Sequence, residues 1–308
     1  MSAETQDLSL NALINRIPVF TDIRAITSLG GGLTNQNYKI DTATNSYVMR
    51  VSSNTSSVLG INREHERLNT IKASEAGVGA VVVDSLADQN VLVINWIDGK
   101  TLHPDDIHSN PQLLLRMASA LQTLHNGPAF TGEFYFPTVR KKYLKTVLNN
   151  NYFLPDRYLQ FEPSISELEK RMDETREDFV PCNNDLLAEN FIDDGEKIWI
   201  IDYEYAGQNE ASFEIGNLAN EIFLNDAELT TLCDAYWKKH LPEKINRAKA
   251  WSVIARYGWV LWASIQEAIS PIDFDFRSWG MRKWNTVLPQ LEGDCIETIF
   301  KNLKNTYT

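Results

Sequence analysis

The sequence predicts an α+β protein in two unequal parts: a small β-rich segment over residues 1–97 and a larger, mainly helical one over residues 98–308. Three observations point there. Short apolar runs broken by Gly, Asn, Ser and Thr fill the first part. Leu114, Met117, Ala118, Leu121 and Leu124 recur at helical spacing in the second. No internal repeat or low-complexity tract suggests a solenoid or a disordered chain. At 308 residues, 43% hydrophobic and 23% charged, the chain is long enough to bury a sizeable core. Its 29 basic against 41 acidic residues leave a net charge of −12, which disfavours nonspecific binding to nucleic acid or anionic lipid and suits a small cationic ligand. Cys182, Cys233 and Cys295 are scattered and form no CxxC, so neither a disulfide framework nor a cysteine zinc site is expected. Residues 1–10 show no leader pattern, and no apolar run approaches the roughly 20 residues of a membrane span, so a soluble, cytoplasmic protein is expected.

The elements follow in order. Residues 37–41 alternate and 46–51 read as a second strand, with a hairpin turn at 42–45. Residues 62–76 have helical composition and stop at Gly77. Residues 78–84 and 90–97 read as further strands, and Asp98-Gly99-Lys100 as the turn between the two parts. Asn110 suits an N-cap, Pro111 the first helical position, and the helix stops by Gly127. Residues 164–178 make a charged amphipathic helix. Residues 192–202 read as a hairpin turning at Asp193-Asp194-Gly195. Most of 213–268 is helical and rich in tryptophan.

Three constellations carry chemistry. The first is Gly30-Gly31-Gly32-Leu33-Thr34-Asn35-Gln36-Asn37, ahead of a strand. Glycines let backbone N–H groups approach phosphate oxygens with no Cβ in the way. The run lacks the Lys-Ser/Thr ending of a Walker loop and does not open a helix, so a dinucleotide fold fits poorly. Gly31, Gly32, Leu33, Thr34, Asn35 and Asn37 are the candidate nucleotide contacts. The second pairs Asp185 with Asn190, the D-x-x-x-x-N spacing of a kinase catalytic loop. A carboxylate there orients the attacking hydroxyl, and an amide oxygen ligates Mg²⁺. The third is Asp202, delivered by the apolar run Ile200-Ile201, where an acid can hold the same ion. Between the first and second lie Arg50, on a strand, and Glu66 or Glu64, on a helix, as a phosphate-facing cation and its partner. Taken singly each piece is common; their order is what points to a phosphotransferase.

Segments 30–40, 62–69, 182–192, 199–207, 213–219 and 257–284, in that order, resemble the choline/ethanolamine kinases within the wider aminoglycoside phosphotransferase-like group. The resemblance implies a two-lobed, protein-kinase-like fold with ATP in the cleft, and transfer of the γ-phosphoryl group to a small alcohol with Mg²⁺. It implies that Asp185 is the catalytic base, Asn190 and Asp202 the metal ligands, and Arg50 the basic strand residue, most simply paired with Glu66. The family's His-Asn-Asp is Asn183-Asn184-Asp185 here. An asparagine can donate and accept hydrogen bonds, as the family's loop-organising histidine does, but it cannot become cationic.

Trp259 and Trp262 lie three apart on one helix face, and Trp279 follows. A quaternary ammonium has no N–H to donate, so ring faces must hold it. The resemblance places Trp259, Trp262 and Trp279 in a choline pocket, while Glu204 and Tyr205, beside Asp202, are further substrate candidates. Choline is the expected acceptor. Ethanolamine, thiamine, an aminoglycoside, or a nucleotide-binding protein without turnover are the alternatives. Trp96, Trp237 and Trp251 are assigned to packing or lobe structure, and the five histidines show no metal-ligand spacing.

Overall fold

The computed structural model describes residues 10–30, 32, 34–52 and 56–306. Gly31 and Leu33, and the leader reading of residues 1–9, lie outside them. Strands β1 (Ala25–Leu29), β2 (Asn35–Asp41), β3 (Ser46–Ser52), β4 (Val82–Leu86) and β5 (Val91–Asn95) form one antiparallel sheet in the order β1-β2-β3-β5-β4. Alternation divides β3 between two faces. Tyr47 and Met49 enter a core with Ile14, Ile17, Ile40, Val91 and Val93, which leaves Arg50 on the other face. Helices α1 (Ser56–Leu59) and α2 (Arg63–Glu75) lie between β3 and β4. Asn62 caps α2, its side-chain oxygen accepting from the N–H groups of Glu64 and His65.

The strand expected at 78–84 begins only at Val82. Val78 and Gly79 instead donate their N–H groups to the Ala73 carbonyl and close the end of α2, while the Val78 carbonyl accepts from Ile200. A helix C-terminus and the far strand thus claim residues whose apolar character reads as sheet.

Beyond Trp96–Gly99 the chain joins the second part. It contains β6 (Lys100–Thr101), α3 (Pro104–Ser109), α4 (Gln112–His125), α5 (Phe136–Asn150), α6 (Glu162–Glu174), β7 (Phe179–Cys182), β8 (Phe191–Asp193), β9 (Ile198–Ile200) and β10 (Gly207–Glu210). Then come α7 (Ala211–Glu221), α8 (Asp226–Trp237), α9 (Pro242–Ile269), α10 (Phe276–Glu292) and α11 (Cys295–Thr306). Strand β6 pairs with β8 and β8 with β9, and β7 pairs with β10. Helix α4 starts one residue later than expected, at Gln112, whose N–H is taken by the Asn110 side chain. The region read as mostly helical over 213–268 holds three helices. A capping box at Asn225, a left-handed Lys238 and Pro242 at the first turn of α9 separate them.

Helix α9 is buried along most of its length between α7, α10 and α5. It crosses α7 at Gly216, where a Cβ would sit 2.3 Å from the Ala248 carbonyl oxygen. Two arginines are fully buried there with full partners: Arg140 with Glu162 and Glu169, and Arg247 with Glu210. No helix among the described residues is long and apolar enough to cross a membrane.

Candidate active site

Strand β7 leads into Asn183-Asn184-Asp185, and β9 leads into Asp202. Asn184 and Asp202 both take left-handed backbone, at φ 68° and 63°. Such geometry costs about 1–3 kcal/mol at a non-glycine residue and persists only where neighbours enforce it. The neighbours are present. The Asn184 N–H donates to Glu214 Oε1 at 2.8 Å, its side chain donates to the Tyr205 carbonyl, and its own carbonyl accepts from Asn217. Asn183 is fully buried. Its Oδ1 accepts the Asp185 N–H at 3.0 Å, and its Nδ2 donates to the carbonyls of Asp202 at 2.8 Å and Ile201 at 3.2 Å. An amide therefore does here the cross-loop tying expected at this position.

Asn190 donates from Nδ2 to the Asp185 carbonyl at 2.6 Å, which turns its amide oxygen away from that carbonyl. Asp185, Asn190 and Asp202 all line one cleft of about 520 Å³, together with Gly32 and Thr34 from the glycine loop. A Cβ on Gly32 would meet the Asn35 carbonyl oxygen at 2.5 Å, so this loop position requires glycine.

Arg50 is held on both sides. Its Nη1 lies 2.8 Å from Glu66 Oε1 and 2.7 Å from Asp202 Oδ1. Glu64 points the other way, to Arg67 on the surface. Of the two candidate partners, Glu66 is the one that meets Arg50. Burial alone would lower the Arg50 guanidinium pKa; the carboxylates of Asp202, Glu66 and Glu204 outweigh it and hold the group above its ordinary value. Arg63, which sequence reasoning passed over, bridges Glu66 at 2.7 Å, Glu204 at 3.1 Å and Asn35 at 3.1 Å.

Glu204 lines the cleft, but both its oxygens are engaged. They accept from Thr34 Oγ1 at 2.8 and 3.0 Å, from Asn35 Nδ2 at 2.9 Å and from Arg63. Expected as a substrate contact, it is placed as the anchor of the glycine loop. Thr34 and Asn35 turn the same way, toward Glu204, while Asn37 Oδ1 is buried with no hydrogen-bond partner among the described residues.

The opposite wall is aromatic. Trp259, Trp262, Trp279 and Tyr205 all line the cleft. Ring centroids lie 5.7 Å apart for Tyr205–Trp259, 6.5 Å for Trp259–Trp262 and 5.3 Å for Trp262–Trp279. The polar edges are satisfied behind the rings: Trp262 Nε1 donates to the Tyr205 hydroxyl and Trp259 Nε1 to Asn217 Oδ1, each within 2.9 Å. Trp251 packs on Phe213 away from the cleft, as assigned.

Carboxylates crowd the floor. Burial, with the neighbouring charges of Glu204, Asp202 and Glu221, pushes the Asp185 pKa well above the ordinary carboxylate range. Burial and Asp202 push Glu204 up to about 7. Mutually repelling carboxylates beside a free amide oxygen are the electrostatics of a site that takes a hard cation, and the oxygen donors of Asn190 and Asp202 fit Mg²⁺. A second cluster, His125, Cys182 and Glu214, is buried behind the loop. His125 Nε2 is 2.6 Å from Glu214 Oε2 and Nδ1 is 2.7 Å from the Tyr236 hydroxyl. Burial raises the Cys182 thiol well above its usual pKa, and the His125–Glu214 pair beside it acts as a polar strut under Asn184, whose N–H donates to Glu214.

The model of the choline/ethanolamine kinase family matches residues 26–288. The chain belongs to the choline/ethanolamine kinase family. It is thus a phosphotransferase with an alcohol acceptor, built on a two-lobed, protein-kinase-like fold, and its reaction draws on a nucleotide. A probable ethanolamine kinase of Arabidopsis thaliana is 29% identical over 255 residues, covering 73% of this chain and 67% of the relative. A solved choline/ethanolamine kinase family protein from Mesorhizobium loti superposes with a TM-score of 0.84 at 24% identity, covering 96% of this chain and 98% of that one. Choline kinase LicA from Streptococcus pneumoniae superposes at 0.78 with 23% identity, covering 92% and 98%.

Proposed function

We propose that the protein is an ATP- and Mg²⁺-dependent choline kinase, which transfers the γ-phosphoryl group to the choline hydroxyl and gives phosphocholine and ADP. The observation that carries the reading is the four-ring wall of Tyr205, Trp259, Trp262 and Trp279 facing the same cleft as Asp185. Ring faces hold a quaternary ammonium that offers no hydrogen-bond donor.

Residues 1–97 form the nucleotide lobe and 98–308 the catalytic lobe. Gly31, Gly32, Leu33, Thr34, Asn35 and Asn37 contact the nucleotide, and Glu204 holds Thr34 and Asn35. Arg50, set by Glu66, faces the phosphates. Asn190 and Asp202 hold Mg²⁺, which when bound offsets charge spreading over the transferred group. Asp185 orients the choline hydroxyl and accepts its proton as the new P–O bond forms. The rings exclude water from the acceptor side, which limits ATP hydrolysis.

Ethanolamine is the second reading, favoured by the name of the Arabidopsis thaliana relative. ADP release measured with choline, ethanolamine, thiamine and an aminoglycoside tests both. The expected result is the highest kcat/KM with choline. A higher value with ethanolamine would replace the first reading by the second, and ADP release with none of the four would leave a nucleotide-binding protein without turnover.

A further inference from the structure

Behind the aromatic wall lies a buried chain of polar groups that neither the catalytic loop nor the nucleotide loop uses. Lys283, on α10, is 2% exposed. Its ammonium lies 2.6 Å from Glu221 Oε2 and 4.1 Å from the ring centroid of Trp279. The other carboxylate oxygen of Glu221 accepts from Asn220 Nδ2 at 2.8 Å, and Asn220 Oδ1 in turn accepts from Arg256 Nε at 2.9 Å. Glu221 itself lines the cleft. A cation therefore already stands behind the pocket wall. It occupies one face of Trp279 and one oxygen of the carboxylate that an incoming ammonium would meet.

We propose that Lys283 is a specificity-determining positioning residue, which withholds Glu221 from the substrate and so favours a quaternary over a primary ammonium. The argument rests on the amino-alcohol reading given above. A primary ammonium carries three N–H donors and needs acceptors in the pocket. With one oxygen of Glu221 on Lys283 and the other on Asn220, each oxygen keeps one lone pair, and the Lys283 charge offsets the carboxylate's pull on an incoming ammonium. A quaternary ammonium needs only ring faces, and the cleft-lining rings of Trp259, Trp262 and Trp279 supply them. Lys283 acts from behind the wall; its substitution changes what Glu221 can accept.

The test is kcat/KM for choline and for ethanolamine in the wild type, Lys283→Met, Lys283→Arg and Glu221→Gln, with thermal melting of each. Methionine keeps most of the volume and frees Glu221 Oε2. A freed charge-assisted acceptor is expected to shift the choline-to-ethanolamine ratio toward ethanolamine by about tenfold or more. Lys283→Arg is expected to keep the wild-type ratio. Glu221→Gln is expected to lower both values with the ratio unchanged, because the carboxylate does not touch either substrate. An unmoved ratio in Lys283→Met overturns the proposal. If Lys283→Met does not fold, Glu221→Gln decides: an unchanged ratio upholds the proposal, and a shift toward choline overturns it by showing direct contact with ethanolamine. A wild type that prefers ethanolamine ends the choline reading alone, since the Lys283→Met shift is still read against it. A wild type that phosphorylates neither amine overturns both.

Discussion

One amide, on Asn183, joins the two stretches of chain that matter most, because it accepts from Asp185 and donates to the carbonyl of Asp202. Its neighbour Asp185 is the proposed base. Replacing Asp185 by Ala removes that base while leaving the left-handed Asn184 and its partners in place. Turnover is expected to fall by at least about a hundredfold, with nucleotide affinity near wild type; single-turnover kinetics beside nucleotide titration checks both. Retained turnover would remove Asp185 from the chemistry. That Asp185, Asn190 and Asp202 line one cleft was legible in the sequence because the D-x-x-x-x-N spacing is local and an apolar strand runs into Asp202. Arg63 was not, since its partner Glu204 lies 141 residues away and a lone helix arginine has no distinguishing pattern. Lys283 was hidden for the same reason, 62 residues from Glu221.

Two helices show how elements are fixed. Where α7 meets α9, Gly216 leaves no room for a methyl group beside the Ala248 carbonyl. Gly216→Ala gains helix propensity of about 1 kcal/mol and loses more to the clash, for a net destabilisation of about 1–2 kcal/mol. A fall in Tm on thermal melting is the expected outcome. Helix α3 is tied down by His108, whose Nδ1 is 2.8 Å from Glu228 Oε1 and whose Nε2 is 3.0 Å from the Ile222 carbonyl. The Glu228 hydrogen bond raises the His108 pKa above its ordinary value against a smaller opposing effect of burial. A raised histidine pKa stabilises the fold fully below the unfolded value near 6.5, and the gain is lost as pH rises through the folded value. The stability difference between wild type and His108→Gln, read by thermal melting, is therefore expected to shrink from about pH 6 to about pH 8.5, by no more than roughly 0.5 kcal/mol for so exposed a pair. Strands β2 and β3 were legible from alternation. Strand β1, largely exposed, has no apolar face to betray it. The limits of α7, α8 and α9 were not drawn, although Asn225 and Pro242 are cap residues by type, because α9, buried on most sides, lacks the polar stripe that marks a surface helix.

The molecule as a whole carries a net charge of −12, and a small cation approaches it down a favourable potential. The kcat/KM for choline is expected to fall a few-fold between about 20 mM and about 300 mM salt, as screening shortens the range of that field, while a neutral alcohol analogue shows no such trend. Stopped-flow binding at several ionic strengths measures it. The two-part plan was readable because the change from alternation to helical spacing is a composition shift along the chain. The ties between the parts were not, because those at the cleft converge on Asp202 and Glu204 from the distant Thr34, Asn35, Arg50 and Arg63, and others join residues as far apart as Asn69 and Ala206. Of these ties the Arg50–Asp202 contact has the widest reach. Whatever claims Asp202 Oδ1 displaces the Arg50 guanidinium from it, which makes ligation at that oxygen a swap of partners. Its measured affinity is the difference between the new bond and the one surrendered, and calorimetry on an Arg50→Met variant would register the vacated position as tighter cation uptake.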